Sequence, residues 1–282
     1  MLICMSRLSD QFPFPAISKD NFYKMGKSPF ITILTASLNS GFTIKKTLES
    51  VRSQTFQDME HIVIDGGSKD ETCDILREFE DAYELFWISE PDQGIAHALN
   101  KGLKRSNGRY MLVIHADDQL LGPDILTRVC PFLKRDLFDI NGFPVVLEHP
   151  TNGRVLLRPK RAIWWHHFKT IFLHQGTFVH KRVFDRIGGF GEQFSIALDY
   201  DFFYRALMSR STIKFGNQPI ALMGGKGVSS APELLYKRLR EEALVQRSNE
   251  KNLFWRIAQL LFQRLYFPYK TRLAPRLSIQ PK

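Results

Sequence analysis

Cysteine is scarce. The chain has three, Cys4, Cys73 and Cys130, scattered and odd in number, with no C-x-x-C pair and no metal-ligand spacing. That argues against a disulfide framework and reads as reduced thiols in a cytosol-like compartment. No apolar run reaches the ~18 residues of a membrane span. Residues 1–29 lack the apolar core of a secretory signal. They carry Phe12-Pro13-Phe14-Pro15 and are expected to form an N-terminal arm, partly disordered; Met25 is a second candidate for the natural start. No G-x-G-x-x-G follows the first expected strand, which counts against a dinucleotide-dependent dehydrogenase. The cluster Gly224-Gly225-Lys226-Gly227-Val228-Ser229 lacks the G-K-[ST] ending of a Walker A loop.

What remains is an ordinary globular composition. The 282 residues are 44% hydrophobic and 24% charged, enough for one large domain with or without an appendage. The net charge of +10 is unevenly placed. Residues 226–282 hold 12 Lys/Arg against 4 Asp/Glu, a net +8, so the first 225 residues are nearly neutral. A basic tail on a neutral body suits an anionic partner surface, either membrane or nucleic acid.

Strands and helices alternate in the hydrophobic pattern. Phe30 to Ser37, Glu60 to Asp65, Tyr83 to Ser89 and Tyr110 to Ile114 read as strands. Thr43 to Gln54 has apolar residues at helical spacing (Ile44, Leu48, Val51). Ser68-Lys69-Asp70-Glu71 has the form of a capping box, placing a helix start there with Ile75, Leu76 and Phe79 on its buried face. Gly94 to Ser106 repeats Ile95, Leu99 and Leu103. This alternation predicts βαβ units and a parallel sheet.

Polar residues gather where the strands end: Thr35, Ser37 and Asn39; Asp65 to Ser68; Glu90, Pro91 and Asp92; then His115-Ala116-Asp117-Asp118. In open α/β sheets ligands bind beyond the carboxyl ends of the strands. Two adjacent carboxylates at a buried strand end are costly unless neutralised, and a divalent cation shared with a diphosphate would do that. The competing reading makes Asp118 the cap of a helix opened by Pro123. Asp65, before two glycines, suits a base or ribose hydroxyl.

TASLNSGFTIKKTLESVRSQTF, EHIVIDGGSKDET, SEPDQGIAHALNKGL and GRYMLVIHADDQL follow one another as in family 2 glycosyltransferases. The match is similar to the bacterial surface-polysaccharide, colanic-acid type. The resemblance spans about residues 30–230. It implies an α/β fold of GT-A type, a Rossmann-like and mostly parallel sheet flanked by helices, with a C-terminal helical appendage. It also implies a divalent metal (Mn²⁺ or Mg²⁺), a UDP- or GDP-sugar donor, and a glycan or polyprenyl-diphosphate-linked acceptor. By the same match Asp118 would hold the metal with Asp117, which would also contact ribose or sugar. Thr35, Ser37, Asn39, Asp65, Gly67, Asp92 and Asn100 would line the donor site. The motif's earlier acidic position is His115 here. The stretch from His174-Gln175-Gly176 to Leu207 resembles the family's acceptor side, where Asp199 matches the general base and Leu198 replaces the preceding Glu. On a helix Asp199 and Asp201 lie about 200° apart. Asp201 is therefore assigned as structural, a partner for Arg205. The implied domains are 30–229, catalytic (donor half 30–121, acceptor half 122–229), and a basic tail at 230–282.

Several residues keep two readings. His174 is a pocket wall or, less readily, a ligand. Trp164-Trp165-His166-His167 is core packing or a sugar-contacting wall. Gly224 to Ser229 cradles phosphate or turns the chain. In the tail, Pro232 to Ser248 reads as a solvated helix. Lys251 to Phe267 has one polar stripe (Asn252, Arg256, Gln259, Gln263) and an apolar arc too wide for water. That arc either docks on the domain or lies in a membrane interface, with no nucleic acid expected and a cytoplasmic, peripheral-membrane location. A metal-dependent nucleotidyltransferase and a catalytically dead binding module stand as alternative functions.

Overall fold

The computed structural model describes residues 16–17, 28–135, 137–149, 153–224 and 232–273. Of the sequence readings, Cys4, most of the N-terminal arm, Gly225 to Ser229 and the end of the tail lie outside the described residues. In chain order the elements are β1 (Ala16–Ile17), β2 (Ile31–Ser37), α1 (Ile44–Arg52), β3 (Met59–Asp65), α2 (Thr72–Phe79), β4 (Leu85–Ser89) and α3 (Ile95–Arg105). Next come β5 (Tyr110–Val113), β6 (Gln119–Leu120), α4 (Ile125–Arg135), β7 (Ile140–Gly142), β8 (Val145–His149) and β9 (Gly153–Leu157). The chain continues through β10 (Thr177–His180), α5 (Lys181–Ile187), α6 (Leu198–Met208), β11 (Ile213–Phe215), β12 (Ala221–Met223), α7 (Leu235–Asn249) and α8 (Leu253–Pro268).

The main sheet has the order β1-β4-β3-β2-β5-β10-β7-β11. Its centre, β4-β3-β2-β5, is parallel, while β10 runs antiparallel to both β5 and β7. A second sheet, β6-β12-β8-β9, joins the segment after β5 to strands later in the chain. The central strands are buried on both faces, and every residue of β3 is buried. That is why they read as near-continuous apolar runs. Helix α1 buries Ile44, Leu48 and Val51 together with Thr47; α3 buries Ala96, Ala98, Leu99 and Gly102.

One predicted helix start moves. Helix α2 begins at Thr72, four residues after Ser68. The Ser68 hydroxyl donates to Asp65 (2.5 Å), so it caps nothing; Asp70 accepts from the Thr72 N–H instead (3.1 Å). A buried carboxylate nearby outcompetes the helix terminus for the hydroxyl.

The tail departs further from expectation. Helix α8 is capped by Asn252, which accepts from the Phe254 and Trp255 N–H groups. It docks by Gln259 and Gln263 of its polar stripe and by two aromatic residues beside them, while Asn252 and Arg256 stay exposed. Gln259, 3% exposed, donates to the His167 carbonyl (2.8 Å) and the Tyr204 hydroxyl (3.0 Å), and Gln263 donates to Gln246 of α7 (2.6 Å). Trp255 stacks on His167 at 4.0 Å, and Phe262 packs on Trp165 and Phe168. So Trp165, His166 and His167 are packing residues, whereas Trp164 stays 54% exposed.

Candidate active site

Because β2, β3, β4 and β5 are parallel, Ser37, Asp65, Ser89 and the residues after Val113 share one edge of the sheet. Asp65 is fully buried there. Its Oδ2 accepts from the N–H groups of Gly67 (3.1 Å) and Ser68 (2.8 Å) and from the Ser89 hydroxyl (2.6 Å), while Oδ1 accepts from Ser68. With the Cys73 thiol (3.7 Å), five donors engage this carboxylate in shaping the turn after β3. Thr35 lies two residues before Ser37 on β2. It is 1% exposed, its hydroxyl donates to the Ile114 carbonyl (2.6 Å), and it meets His61 Nε2 (2.9 Å). It ties β2 to β3 and to the residue that follows β5.

The turn itself is held open by backbone geometry. Asn39 adopts φ 48°, its N–H donates to Ser68 Oγ (2.7 Å), and its side-chain oxygen accepts from the Lys69 N–H (3.0 Å). Gly67 has φ 84°, a region that favours glycine. A Cβ at Gly66 would stand 2.6 Å from the Asp92 carboxylate, which accepts from the Gly94 N–H (2.8 Å). Among the described residues the Ser37 hydroxyl, buried at this edge, has no hydrogen-bond partner.

After β5 the chain turns through His115-Ala116-Asp117-Asp118. Asp118 is 2% exposed and caps no helix. Its oxygens accept from the N–H groups of Gly224 (3.1 Å) and His115 (3.2 Å), with Gln175 Nε2 at 3.4 Å. Burial, and then the charge of Asp117, push its pKa up to about 7. A nearby cation would favour the ionised form of Asp118. Asp117 is the more open of the two. Among the described residues no group of three or more Asp, Glu, His or Cys forms a cage. Two carboxylates completed by substrate phosphates are a usual Mg²⁺ arrangement, so the residues fit a divalent ion of that kind. The His115 and His174 rings meet edge to face at 4.9 Å; burial lowers both pKa values, so this pair is neutral and forms a wall beside the carboxylates.

A third group lies at the start of α6. Asp199 is half-buried, and its Oδ1 accepts from the Tyr200 N–H (2.7 Å). Burial, with the charge of Glu242 adding to it, pushes its pKa up to about 6. Asp201 is 3% exposed and pairs with Arg205 (2.8 Å) and Asn249 (3.0 Å). Glu241 of α7 holds the segment ahead of Asp199. Its carboxylate accepts from the N–H groups of Ser195, Ile196 and Ala197 and from the Ser195 hydroxyl. Burial pushes the Glu241 pKa upward, but these donors outweigh it and hold the group below its ordinary value. Ala197 and Leu198 belong to the same apolar cluster as Ile88 and Val113, the last apolar residues of β4 and β5.

The family model described as glycosyl transferase family 2 matches residues 32–190, more than half of the chain. This chain is a member of glycosyl transferase family 2. It is 30% identical over 190 residues to an uncharacterized glycosyltransferase of Mycobacterium tuberculosis, covering 65% of this chain and 71% of the relative. It is 28% identical over 199 residues to a PGL/p-HBAD biosynthesis glycosyltransferase of Mycobacterium bovis, covering 66% and 73%. Among solved structures it is similar to S. aureus TarS in complex with UDP (TM-score 0.64, 18% identity, 89% of this chain and 75% of that one). It is also similar to a mannosyltransferase of Pyrobaculum calidifontis in complex with GDP-Man and Mn²⁺ (TM-score 0.62, 17% identity, 92% and 77%). The fold is GT-A.

Within this family 2 chain the structure brings His115, Asp117, Asp118, His174 and Gln175 together. It gathers Asn39, Asp65, Gly67, Ser68 and Ser89 around one turn. Asn100 does not join them. Its side chain donates to the Phe190 carbonyl (2.9 Å) and to Glu192 (2.8 Å), and accepts from the Phe190 N–H (2.8 Å). This clamps α3 to the segment ahead of α6. Sequence reasoning missed Ser89 and Glu241. Ser89 stands at the end of an expected strand, where its position was a usable signal. Glu241 carried none, because its partners lie about 45 residues away on a different element.

Proposed function

We propose that this chain is an inverting glycosyltransferase. It moves a sugar from a nucleoside-diphosphate sugar onto a glycan or lipid-linked acceptor, with Asp199 as general base. The observation that carries this reading is the Asp117–Asp118 pair after β5, in which burial and then the neighbouring Asp117 charge raise the Asp118 pKa. The UDP and GDP-Man bound in the similar structures support a nucleotide-sugar donor. A surface-polysaccharide role of the colanic-acid type and a place on the cytoplasmic membrane face belong to the same reading.

The chemistry balances simply. The acceptor hydroxyl attacks the anomeric carbon, its proton passes to the Asp199 carboxylate, and the bond from the anomeric carbon to the diphosphate oxygen breaks. One displacement inverts the anomeric centre and releases a nucleoside diphosphate. A carboxylate within hydrogen-bond reach typically contributes ~10²–10⁴-fold. Asp117 and Asp118 would hold a divalent cation, which when bound offsets the charge of the diphosphate. Ser37 offers a free hydroxyl, and the Asp65-shaped turn positions backbone beside the nucleoside.

The test incubates purified protein with UDP-, GDP- and dTDP-sugars and a membrane lipid extract, and follows released nucleotide and transferred sugar. Nucleoside diphosphate released in step with a glycosylated product of inverted configuration is expected. Pyrophosphate release would point to nucleotidyl transfer, and retained configuration would refute the single displacement.

A further inference from the structure

Helix α8 docks through Gln259, Gln263, Trp255 and Phe262, which leaves the rest of its apolar arc outward. Leu253, Phe254, Ile257, Leu260, Leu261 and Leu265 are between 51% and 76% exposed. Beside this ridge α7 and α8 enclose a groove of about 570 Å³. Its walls carry three guanidinium groups, Arg240, Arg247 and Arg256, together with Leu244 and Leu260, and no carboxylate. From Lys251 to Lys282 the chain has seven Lys/Arg and no Asp or Glu. A basic groove flanking an exposed apolar ridge matches one environment, where phosphate headgroups border hydrocarbon.

We propose that the exposed face of α8, with the arginine groove it forms against α7, is the docking surface for an anionic lipid bilayer. Helix α8 lies along the interface rather than across it. Its 16 residues extend about 24 Å, and no helix among the described residues is long and apolar enough to cross a membrane. Leu253, Phe254, Ile257, Leu261 and Leu265 enter the acyl boundary. Arg240, Arg247 and Arg256 meet the headgroups, and Arg264, on the exposed side, reaches back to them along its own methylenes. Charge decides against a second copy of the chain as the occupant. A two-fold pairing of α8 ridges would bring Arg256 and Arg264 of each copy toward the same arginines of the other, with no acid on the helix to pair them.

The surface is tied to the candidate active site through α7. That helix presents Arg240, Leu244 and Arg247 to the groove and Glu241 to the segment ahead of Asp199. Docking therefore holds the element that fixes Asp199 at the bilayer surface, where an amphiphilic acceptor would be presented.

The experiment sediments the full chain with vesicles of phosphatidylcholine alone and of phosphatidylcholine mixed with phosphatidylglycerol, at low and high salt, without any sugar donor. Binding to the anionic vesicles that weakens with salt is expected. At about fivefold for each arginine, Arg240→Gln/Arg247→Gln/Arg256→Gln lowers it by about a hundredfold. Ile257→Ser/Leu261→Ser abolishes it while leaving the thermal melt in place, since both side chains are exposed. Equal binding to neutral vesicles, no binding to either, or unchanged binding by the Ile257→Ser/Leu261→Ser variant would overturn the proposal. So would a dimer in sedimentation velocity that this variant converts to monomer. None of these outcomes depends on sugar transfer.

Discussion

Replacing Asp199 with asparagine removes a base while leaving its shape. The wild-type carboxylate accepts one hydrogen bond, from the adjacent Tyr200 N–H, and the amide oxygen of asparagine can keep it. With a pKa of about 6, Asp199 is half ionised there, about nine-tenths ionised at pH 7 and about one-tenth at pH 5. Turnover should therefore rise with pH along an acid limb centred near 6. The Asp199→Asn variant should lose ~10²–10⁴-fold in kcat, about 3–5 kcal/mol of barrier, together with that limb. Stability should move the other way. The folded pKa lies above the unfolded 3.8, so the group's contribution is fully present below pH 3.8 and is lost as pH rises through about 6. At pH 8 the asparagine variant should gain up to about 3 kcal/mol in denaturant unfolding. Initial rates across pH 5–8 and urea melts at pH 8 check both halves. A variant within a few-fold of wild-type turnover, or one that keeps the acid limb, refutes the base assignment.

Glu241→Gln weakens the acceptor for the donors on Ser195, Ile196 and Ala197, at about 1–3 kcal/mol. Its kcat should fall while donor affinity holds, and Glu241→Asp should recover part of the loss; an equal fall in donor affinity would make the role merely structural. Asp201→Asn leaves Arg205 without its buried partner, so chemical denaturation should show a loss of about 3–5 kcal/mol, with kcat in the folded fraction nearly unchanged. His61 is buried between Thr35 and Tyr83, and burial lowers its pKa to about 3. Its folded pKa is below the unfolded 6.5, so the stability it confers is complete above 6.5 and falls by up to about 1.4 kcal/mol per pH unit toward 3. Urea midpoints between pH 7 and 4 should show this slope, and His61→Gln should flatten it.

The sheet was legible because β2 to β5 are buried on both faces, so each stands out as an apolar run closed by polar residues. The resemblance carried the family, and the order of its motifs matched the order of the strands. Side-chain partners were not legible at the same points. Ser68 has the spacing of a capping residue, yet Asp65 lies three positions back, buried and in need of donors, and takes the hydroxyl. The zero or near-zero exposure of Asp65 and Thr35 is likewise a property of packing that no local pattern records. Helix α8 shows the limit most clearly. Its periodicity separates a polar from an apolar face, but only the partners His167, Tyr204 and Gln246 decide that Gln259 and Gln263 turn inward.

The central claim is a donor site built on Asp117 and Asp118. Isothermal titration of the protein with UDP-, GDP- and dTDP-sugars, with and without Mn²⁺, repeated on Asp117→Ala and Asp118→Ala, tests it most directly. The account predicts Mn²⁺-dependent binding of one donor class by the wild type and loss of that binding in both variants. Binding of no donor by folded protein, or donor binding that survives both substitutions, would contradict it.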